Sequence, residues 1–388
     1  MKLAPTYKVD LNGSIRMHVV EVEGNKYRTE SGLLDGARVI SEWTECFGKN
    51  VGKSNGTTDE EQALKVAQRI RQIRLEQGDY ENIEDAGKGK KFFQPMLASK
   101  YDAVKSKIVD LKNDTFKTPG HTVFVQKKLD GIRLIASLGT GMQSRTGKQI
   151  ISAPHIFRKL KPFFEKHPDV IFDGELYTHS MDDNFNEVIS MARKTKPTVD
   201  DLKLSEEKLQ YWIYDLPSCP GNFSERNAEL RKIFAENPDI FDDSFVLVET
   251  LEVSRPSLVK EKYLEKFVSE GFEGAIVRLD EPYECKRSKN LLKVKQFQDE
   301  EFTILDIVEG RGNLSGCAGN VVVDVAGKAV SAGLKFCRED AREIWENREK
   351  YIGKLATVKF FNKTQDGSLR FPKCTQIARN EYEEGYSR

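Results

Sequence analysis

The stretch Lys128-Leu129-Asp130-Gly131-Ile132-Arg133 comes after a short run of β-branched and aromatic residues, His121-Thr122-Val123-Phe124-Val125. This pattern predicts a strand that ends in a lysine and leads into an Asp-Gly turn. A lysine amine acts as a nucleophile only after it loses its proton, and burial or nearby positive charge favours that loss. Because Asp-Gly is also common in surface hairpins, the interpretation of this stretch depends on the downstream sequence.

Four further motifs combine strand-like residues with charged side chains. In chain order they are Phe172-Asp173-Gly174-Glu175-Leu176, Tyr211-Trp212-Ile213-Tyr214-Asp215-Leu216, Glu273-Gly274-Ala275-Ile276-Val277-Arg278 and Leu291-Leu292-Lys293-Val294-Lys295. We expect the first to place a carboxylate at a strand end. Since side chains two positions apart on a strand point the same way, Lys293 and Lys295 are predicted to share one face. For the last motif, an exposed basic strand is the alternative.

The order and spacing of these motifs resemble the covalent nucleotidyltransferase superfamily and, within it, the ATP-dependent DNA ligases. Ser144-Arg145-Thr146-Gly147-Lys148 and Phe93-Gln94-Pro95-Met96-Leu97-Ala98 resemble two further ligase segments. Gly367-Ser368-Leu369-Arg370-Phe371-Pro372-Lys373 resembles the last ligase motif, although the subsequent Arg379-Asn380-Glu381-Tyr382 departs from the family's Arg-x-Asp-Lys ending. The resemblance covers about residues 92–380, and the compact size with a small N-terminal addition looks like that of phage or bacterial ligases.

The resemblance implies a lysyl-AMP intermediate, with ATP and Mg²⁺ (or Mn²⁺) as cofactors. Lys128 is the expected nucleophile, because Lys127 lacks Asp-Gly at the correct offset and would face the other way on a strand. Glu273 and Glu175 are the expected metal ligands, since hard cations prefer oxygen. The residues expected to bind ATP are Gln126, Arg133, Arg145, Glu175, Tyr214, Arg287, Lys293, Lys295, Arg370 and Lys373.

Two positions of this expected nucleotide site allow alternatives. Gln126 stands where ligases often carry glutamate, and an amide both accepts and donates, so its contact with the edge of the adenine stays open. ATP rather than GTP is nevertheless the expected nucleotide. Tyr214 stands where the family stacks an aromatic ring on adenine. Alternatively, Tyr211, Trp212 and Tyr214 alternate across a half-buried strand.

Bulk properties limit the class of protein. A chain of 388 residues can bury two or three separate cores. Lys+Arg and Asp+Glu both number 61, so the net charge is zero. A protein of this composition can bind a polyanion only if its positive side chains are concentrated on one part of the surface. The six cysteines form no Cys-x-x-Cys pair, which argues against a zinc module or a disulfide scaffold. With no secretory signal or apolar run of membrane length, we expect a soluble, cytoplasmic protein. We also expect a monomer, and the resemblance implies a bacterium or a phage-infected cell as its location.

The expected fold class is α+β, arranged in three units. Residues 1–88 are predicted to form a small α+β domain, and residues 92–297 an adenylation (nucleotidyltransferase) domain with ATP-grasp-like mixed antiparallel sheets and helices. Residues 298–388 are predicted to form an OB-fold β-barrel. Predicted helices are a segment that begins at Asp59, then 154–166, 224–235, 257–270 and a segment near Glu339 to Lys350.

The N-terminal unit resembles the WGR type of nucleic-acid-binding module, although the Trp-Gly-Arg signature is absent. Its nearest counterpart is a loop rich in glycine, lysine and asparagine, residues 47–56. Such a loop can cradle backbone phosphate or simply connect two elements. Lys49 and Lys53 in this loop, together with Lys148, are the expected DNA contacts.

The resemblance implies that the protein seals nicks with a 5′-phosphate and a 3′-hydroxyl in duplex DNA, as in replication, repair and recombination. RNA ligases and mRNA capping guanylyltransferases share the lysine motif and are the alternatives. An NAD-dependent ligase needs a nicotinamide-binding unit and zinc cysteines, neither of which is visible. A DNA-binding protein with an inactive core would have lost the lysine, the metal acid or the phosphate-binding lysines, all of which are present.

Overall fold

The structure is a computed structural model that describes residues 1–10, 12–50, 52, 54–86, 92–117, 123–179, 185–364 and 366–379. The chain divides into two units, of which one is Lys90–Gln296 and the other combines Met1–Gly89 with Phe297–Arg388. None of the helices in these ranges is long and apolar enough to cross a membrane. The three-domain division expected from the sequence stays a prediction.

The N-terminal segment is a small sheet covered by one helix. Its strands are β1 (Thr6–Val9), β2 (Ile15–Glu23), β3 (Lys26–Leu33), β4 (Arg38–Ile40) and β5 (Thr44–Glu45), and its helix is α1 (Asp59–Glu76). The order is β1-β2-β3-β4, with β5 also paired to β3. Helix α1 begins where the sequence predicts, because Thr58 and Glu61 form a reciprocal capping box. Ala63 and Ala67 of α1 pack on the buried face of β2.

The 90–296 unit contains two five-stranded sheets and a small hairpin. Its strands are β6 (Leu97–Lys100), β7 (Val109–Asp110), β8 (Thr115–Phe116), β9 (Val123–Lys128), β10 (Ile132–Ser137), β11 (Gly141–Gln143), β12 (Ile171–Tyr177), β13 (Gln210–Asp215), β14 (Phe245–Leu247), β15 (Thr250–Val253), β16 (Gly274–Leu279) and β17 (Arg287–Val294). The sheet orders are β11-β10-β12-β13-β14 and β15-β9-β16-β17-β6. Apart from β13 with β14 and β17 with β6, neighbours are antiparallel, as predicted.

The helices of this unit cover the sheets. They are α2 (Tyr101–Ile108), α3 (Pro154–Lys166), α4 (Phe185–Ala192), α5 (Val199–Lys208), α6 (Phe223–Glu236) and α7 (Glu265–Ser269). Helix α3 has the predicted bounds, because Pro154 suits the first helical turn and Leu160, Phe163 and Phe164 are buried. Helix α6 extends one residue beyond the prediction at each end. The helix predicted over 257–270 is a π-helical turn, Val259–Leu264, that runs into α7.

The C-terminal segment is a closed five-stranded barrel, which confirms the predicted OB fold. Its strands are β18 (Gln298–Glu309), β19 (Ala318–Val325), β20 (Lys328–Leu334), β21 (Leu355–Phe360) and β22 (Lys373–Arg379), in the order β18-β19-β20-β22-β21. Its interior is filled by buried residues of alternating strand positions, including Val321, Val323, Val358 and Phe360. The predicted helix near 339–350 is α8 (Arg338–Glu346), which leads into a 3₁₀ turn, Arg348–Lys350.

A tight turn joins the two large sheets and presents the candidate nucleophile. Strand β9 ends at Lys128, and β10 begins at Ile132 beside β12. A Cβ on Gly131 would lie 2.2 Å from the carbonyl oxygen of Leu176. Only glycine therefore lets this turn approach β12 so closely, which explains the Asp-Gly pair after the lysine.

Candidate active site

Lys128 is held by the residue that precedes the neighbouring strand. Its amine forms an ion pair with Oε2 of Glu273, whose Oε1 pairs with Lys295. The backbone N–H of Glu273 also donates to the Lys128 carbonyl at 3.0 Å. Burial alone would raise the pKa of Glu273, but the charges of Lys128 and Lys295 outweigh it and hold that pKa below its ordinary value. An ionised carboxylate thus orients the amine.

The Lys127 amine pairs with a different carboxylate from that of Lys128, as strand alternation predicts. The Lys127 nitrogen lies 3.2 Å from Oε2 of Glu270 and 4.7 Å from the ring centroid of Phe272. Adjacent lysines on β9 therefore have different surroundings. Glu273, which contacts Lys128, also binds Lys295, whereas Glu270, which contacts Lys127, also pairs with Lys266 at 3.7 Å.

Lys128 lines a pocket together with seven residues that the sequence assigned to ATP. Besides these, the lining includes apolar side chains such as Ile276 and Leu291, as well as Arg278. The seven are Gln126, Arg133, Arg145, Glu175, Tyr214, Arg287 and Lys293. An apolar wall beside clustered cations suits a purine base joined to phosphates.

The cations are close enough to influence one another. Burial and then the charges of Lys295, Lys128 and Arg287 lower the pKa of Lys293. Arg287 is also tied to β6, because its Nη1 donates to the Ala98 carbonyl at 2.7 Å. Such mutual repulsion is relieved when an anion binds among the cations.

Glu175 lies inside β12, so its predicted place at a strand end is wrong. Leu176 and Tyr177 extend the strand, because Leu176 pairs with both β10 and β13 and Tyr177 pairs with β13. Burial raises the pKa of Glu175 to about 7, even though Lys128 and Arg133 act in the opposite direction. Tyr214 donates to its Oε2 at 3.4 Å.

The raised pKa of Glu175 predicts a pH dependence of stability. The folded chain retains a proton that the unfolded chain loses between pH 4.5 and about 7, so this group's contribution to the free energy of unfolding falls as pH rises through that window. Glu175→Gln removes the titration. We expect the variant's melting temperature to rise relative to wild type between pH 5 and pH 8, with the exposed Glu207→Gln as matched control. An offset that is the same at both pH values would contradict the assignment.

Arg133 is part of a buried clamp that the sequence does not reveal. Its Nε and Nη2 donate to the two carboxylate oxygens of Asp173 at 2.6 and 2.5 Å, and Nη2 also donates to the Met96 carbonyl at 3.0 Å. Tyr283 donates to Asp173 at 2.7 Å and accepts from the Met96 N–H at 2.8 Å. Burial alone would lower the pKa of Arg133, but the negative charge of Asp173 holds that pKa well above its ordinary value. The expected role of Arg133 in binding ATP stays a prediction.

A second buried charge cluster lies behind the pocket and was also missed. Asp215 accepts from Arg226 Nε at 2.7 Å and from Arg278 Nη1 at 2.6 Å. Burial alone would raise the pKa of Asp215, but Arg278 and Arg226 hold it below its ordinary value. Arg226 and Arg278 lie 11 and 63 positions from Asp215 in the sequence, so no local pattern marks the cluster.

The remaining predicted residues lie elsewhere. Arg370, Lys373 and Lys49 belong to the other unit, and Lys53 falls outside the described residues. Lys148 comes shortly after Arg145, in a turn closed by the Ser144 N–H, which donates to the Lys148 carbonyl at 2.8 Å. Among the residues that the structure describes, no group of three or more His, Cys, Asp or Glu side chains is arranged to hold a metal.

Comparison with known proteins agrees with this geometry. Residues 95–295 match the family described as ATP dependent DNA ligase domain, and residues 309–377 match the DNA ligase OB-like domain. A DNA ligase of Haemophilus influenzae is 26% identical over 253 residues, which cover 64% of this chain and 83% of that protein. A DNA ligase of African swine fever virus is 28% identical over 300 residues, which cover 73% of this chain and 65% of the viral protein.

A solved structure from a structure-function study of Lig E DNA ligases shares the fold. It aligns with a TM-score of 0.58 and 26% identity, and the alignment covers 73% of this chain and 98% of the other. That study concerns DNA binding with a minimal scaffold. The match to the first family extends over all the strands that carry the pocket residues.

Proposed function

Because this chain belongs to the ATP-dependent DNA ligase family, we propose that it seals nicks in duplex DNA through a covalent lysyl-AMP and a DNA-adenylate. The observation that carries the proposal is the Lys128 amine, paired with Glu273 at the floor of a pocket rich in cations. RNA ligase and capping activities are not favoured by the family match.

Three displacements at phosphorus make up the proposed reaction. First, the deprotonated Lys128 amine attacks the α-phosphorus of ATP, so that a P–N bond forms and pyrophosphate leaves. An oxygen of the 5′-phosphate then attacks the same phosphorus, and the P–N bond breaks. Finally, the 3′-hydroxyl attacks the activated 5′-phosphorus, loses its proton and releases AMP. Lys293 and Lys295 stabilise the charge that develops on the phosphoryl oxygens.

Glu273 and Glu175 are proposed to hold Mg²⁺. Both offer carboxylate oxygens near Lys128, which fits a hard cation that takes most of its ligands from phosphate and water. When bound, the metal would polarise the α-phosphate. Until ATP arrives, the same Glu273 carboxylate keeps the amine in place.

Nicked duplex DNA is the proposed partner of a monomer that acts in the cytoplasm of a bacterium or a phage-infected cell. Binding should rest on backbone contacts, because a ligase must accept any sequence. Arg370 and Lys373 are proposed to orient pyrophosphate in the first step. Lys49 and Lys148 are proposed to contact phosphates.

A charge reversal tests the role of the N-terminal loop. Lys49→Glu should weaken the affinity for a nicked duplex and flatten its dependence on salt, since a phosphate contact is lost, while self-adenylation stays unchanged. Lys8→Glu, at an exposed position of β1, is the matched control. Fluorescence anisotropy with a labelled nicked duplex at two salt concentrations measures the effect. Equal affinities for both variants and wild type would remove the loop from the DNA interface.

The experiment that tests the proposed function is sealing of a nicked duplex that carries a 5′-labelled phosphate. With ATP and Mg²⁺, the labelled strand should become joined and resistant to phosphatase. An RNA with a 5′-diphosphate and GTP form the parallel reaction. Transfer of GMP to that RNA without DNA sealing would replace the ligase proposal with a capping activity.

A further inference from the structure

The hydroxyl of Tyr283 contacts both groups that hold Arg133. Nη2 of Arg133 donates to Oδ2 of Asp173 at 2.5 Å and to the Met96 carbonyl at 3.0 Å. The Tyr283 hydroxyl donates to the same Oδ2 at 2.7 Å and accepts from the Met96 N–H at 2.8 Å. These contacts close a ring that starts and ends at Nη2 of Arg133. In such a network, each hydrogen bond strengthens and orients the others.

Arg133 lines the nucleotide pocket, and its anchors leave one nitrogen for a ligand. Nε and Nη2 are used by Asp173 and Met96. Within the part of the chain that the structure describes, no acceptor is found for Nη1, which can donate two hydrogen bonds. Because a guanidinium is planar and rigid, the two anchors also fix the position of Nη1.

Tyr283 is itself held through its ring. It lies in the segment between β16 and β17. The ring centroids of Tyr283 and Phe93 are 6.1 Å apart, and the guanidinium carbon of Arg226 lies 5.6 Å from the Tyr283 centroid. Burial and the charge of Asp173 raise the pKa of Tyr283 well above its ordinary value, so the hydroxyl keeps its proton at neutral pH. The hydroxyl is therefore a fixed donor and acceptor.

We propose that Tyr283 is a positioning residue of the adenylation step, whose hydroxyl holds Asp173 and Met96 where they orient Arg133 toward the bound nucleotide. Without the hydroxyl, Asp173 loses a donor and the Met96 N–H loses its acceptor, so both anchors of Arg133 can shift. A displacement of about 1 Å outside the reacting atoms can lower a rate about 100-fold. The inference rests on the proposed function, because it concerns the reaction of ATP with Lys128.

Single-turnover self-adenylation of the full chain with ATP and Mg²⁺ tests the proposal. Tyr283→Phe removes the hydroxyl and keeps the ring, so we expect the second-order rate constant to fall by roughly 10- to 100-fold. Tyr263→Phe is the matched control, because Tyr263 is a buried tyrosine that donates to the Glu252 carbonyl at 3.2 Å and does not line the pocket. It should keep the wild-type rate.

A double-variant cycle with Arg133 separates positioning from a merely structural role. Arg133→Lys keeps a positive charge beside Asp173 but lacks the planar fork that carries Nη1. If Tyr283 acts through that fork, adding Tyr283→Phe to Arg133→Lys should lower the rate constant by less than about 2-fold, which is the usual error of such cycles. A structural role would lower the rate constant by the same factor in both backgrounds.

The inference is overturned if Tyr283→Phe reacts like wild type, or if the two losses multiply in the double variant. If Arg133→Lys does not fold or reacts too slowly to measure, the comparison of Tyr283→Phe with Tyr263→Phe decides. Equal rate constants for those two variants would then overturn the inference, and a selective loss in Tyr283→Phe would support it. Failure of wild type to react with ATP or to seal a nick would instead refute the proposed function.

Discussion

Lys128→Ala is expected to abolish covalent labelling of the protein by α-labelled ATP, whereas Lys127→Ala should label like wild type. The reason is the alternation of side chains on β9, which places Lys128 against Glu273 and Lys127 against Glu270 and Phe272. Denaturing gels and intact-protein mass measure the adduct.

The paired design keeps this result independent of folding. Lys128→Ala leaves Glu273 bound to Lys295, so the buried carboxylate keeps a partner and the variant should melt close to wild type. Labelling of Lys128→Ala, or loss of labelling in Lys127→Ala alone, would place the nucleophile elsewhere.

Asp215→Asn is expected to lower the free energy of unfolding by about 3–5 kcal/mol, the largest change in stability that we predict. The substitution keeps the shape of the side chain but leaves the charges of Arg226 and Arg278 without their shared counterion in a fully buried site. Urea denaturation monitored by circular dichroism gives the free energy.

Asp102→Asn is the matched control for Asp215→Asn. Asp102 pairs with Lys260 at 2.8 Å, but the two side chains are 71% and 46% exposed, so water screens the pair and no measurable change is expected. A loss of less than about 1 kcal/mol for Asp215→Asn would mean that the two arginines find other partners or water.

Local patterns in the sequence predict the parts of the site that depend on strand periodicity. The different carboxylate partners of Lys127 and Lys128 and the bounds of helix α3 are of this kind. The place of Glu175 inside β12 was mispredicted, because pairing with neighbouring strands extends β12 past the charged residue. Where a strand ends is decided by its neighbours as much as by its own residues.

Contacts between distant segments account for the features that local patterns leave open. The motif around Tyr214 and Asp215 marks the acid but not its two arginine partners. The amide of Gln126 can both donate and accept hydrogen bonds. Its orientation is fixed by Arg278 on the neighbouring strand β16, which donates to its oxygen. Tyr283, which closes the clamp around Asp173, lies in a connecting segment with no motif of its own.

The most direct measurement isolates the adenylated protein, removes all ATP and then adds a nicked duplex. We predict that AMP leaves Lys128 in proportion to the strands joined, with one AMP released for each nick sealed and no further nucleotide required. AMP that stays on the protein, or sealing that still requires ATP, would contradict the covalent ligase mechanism.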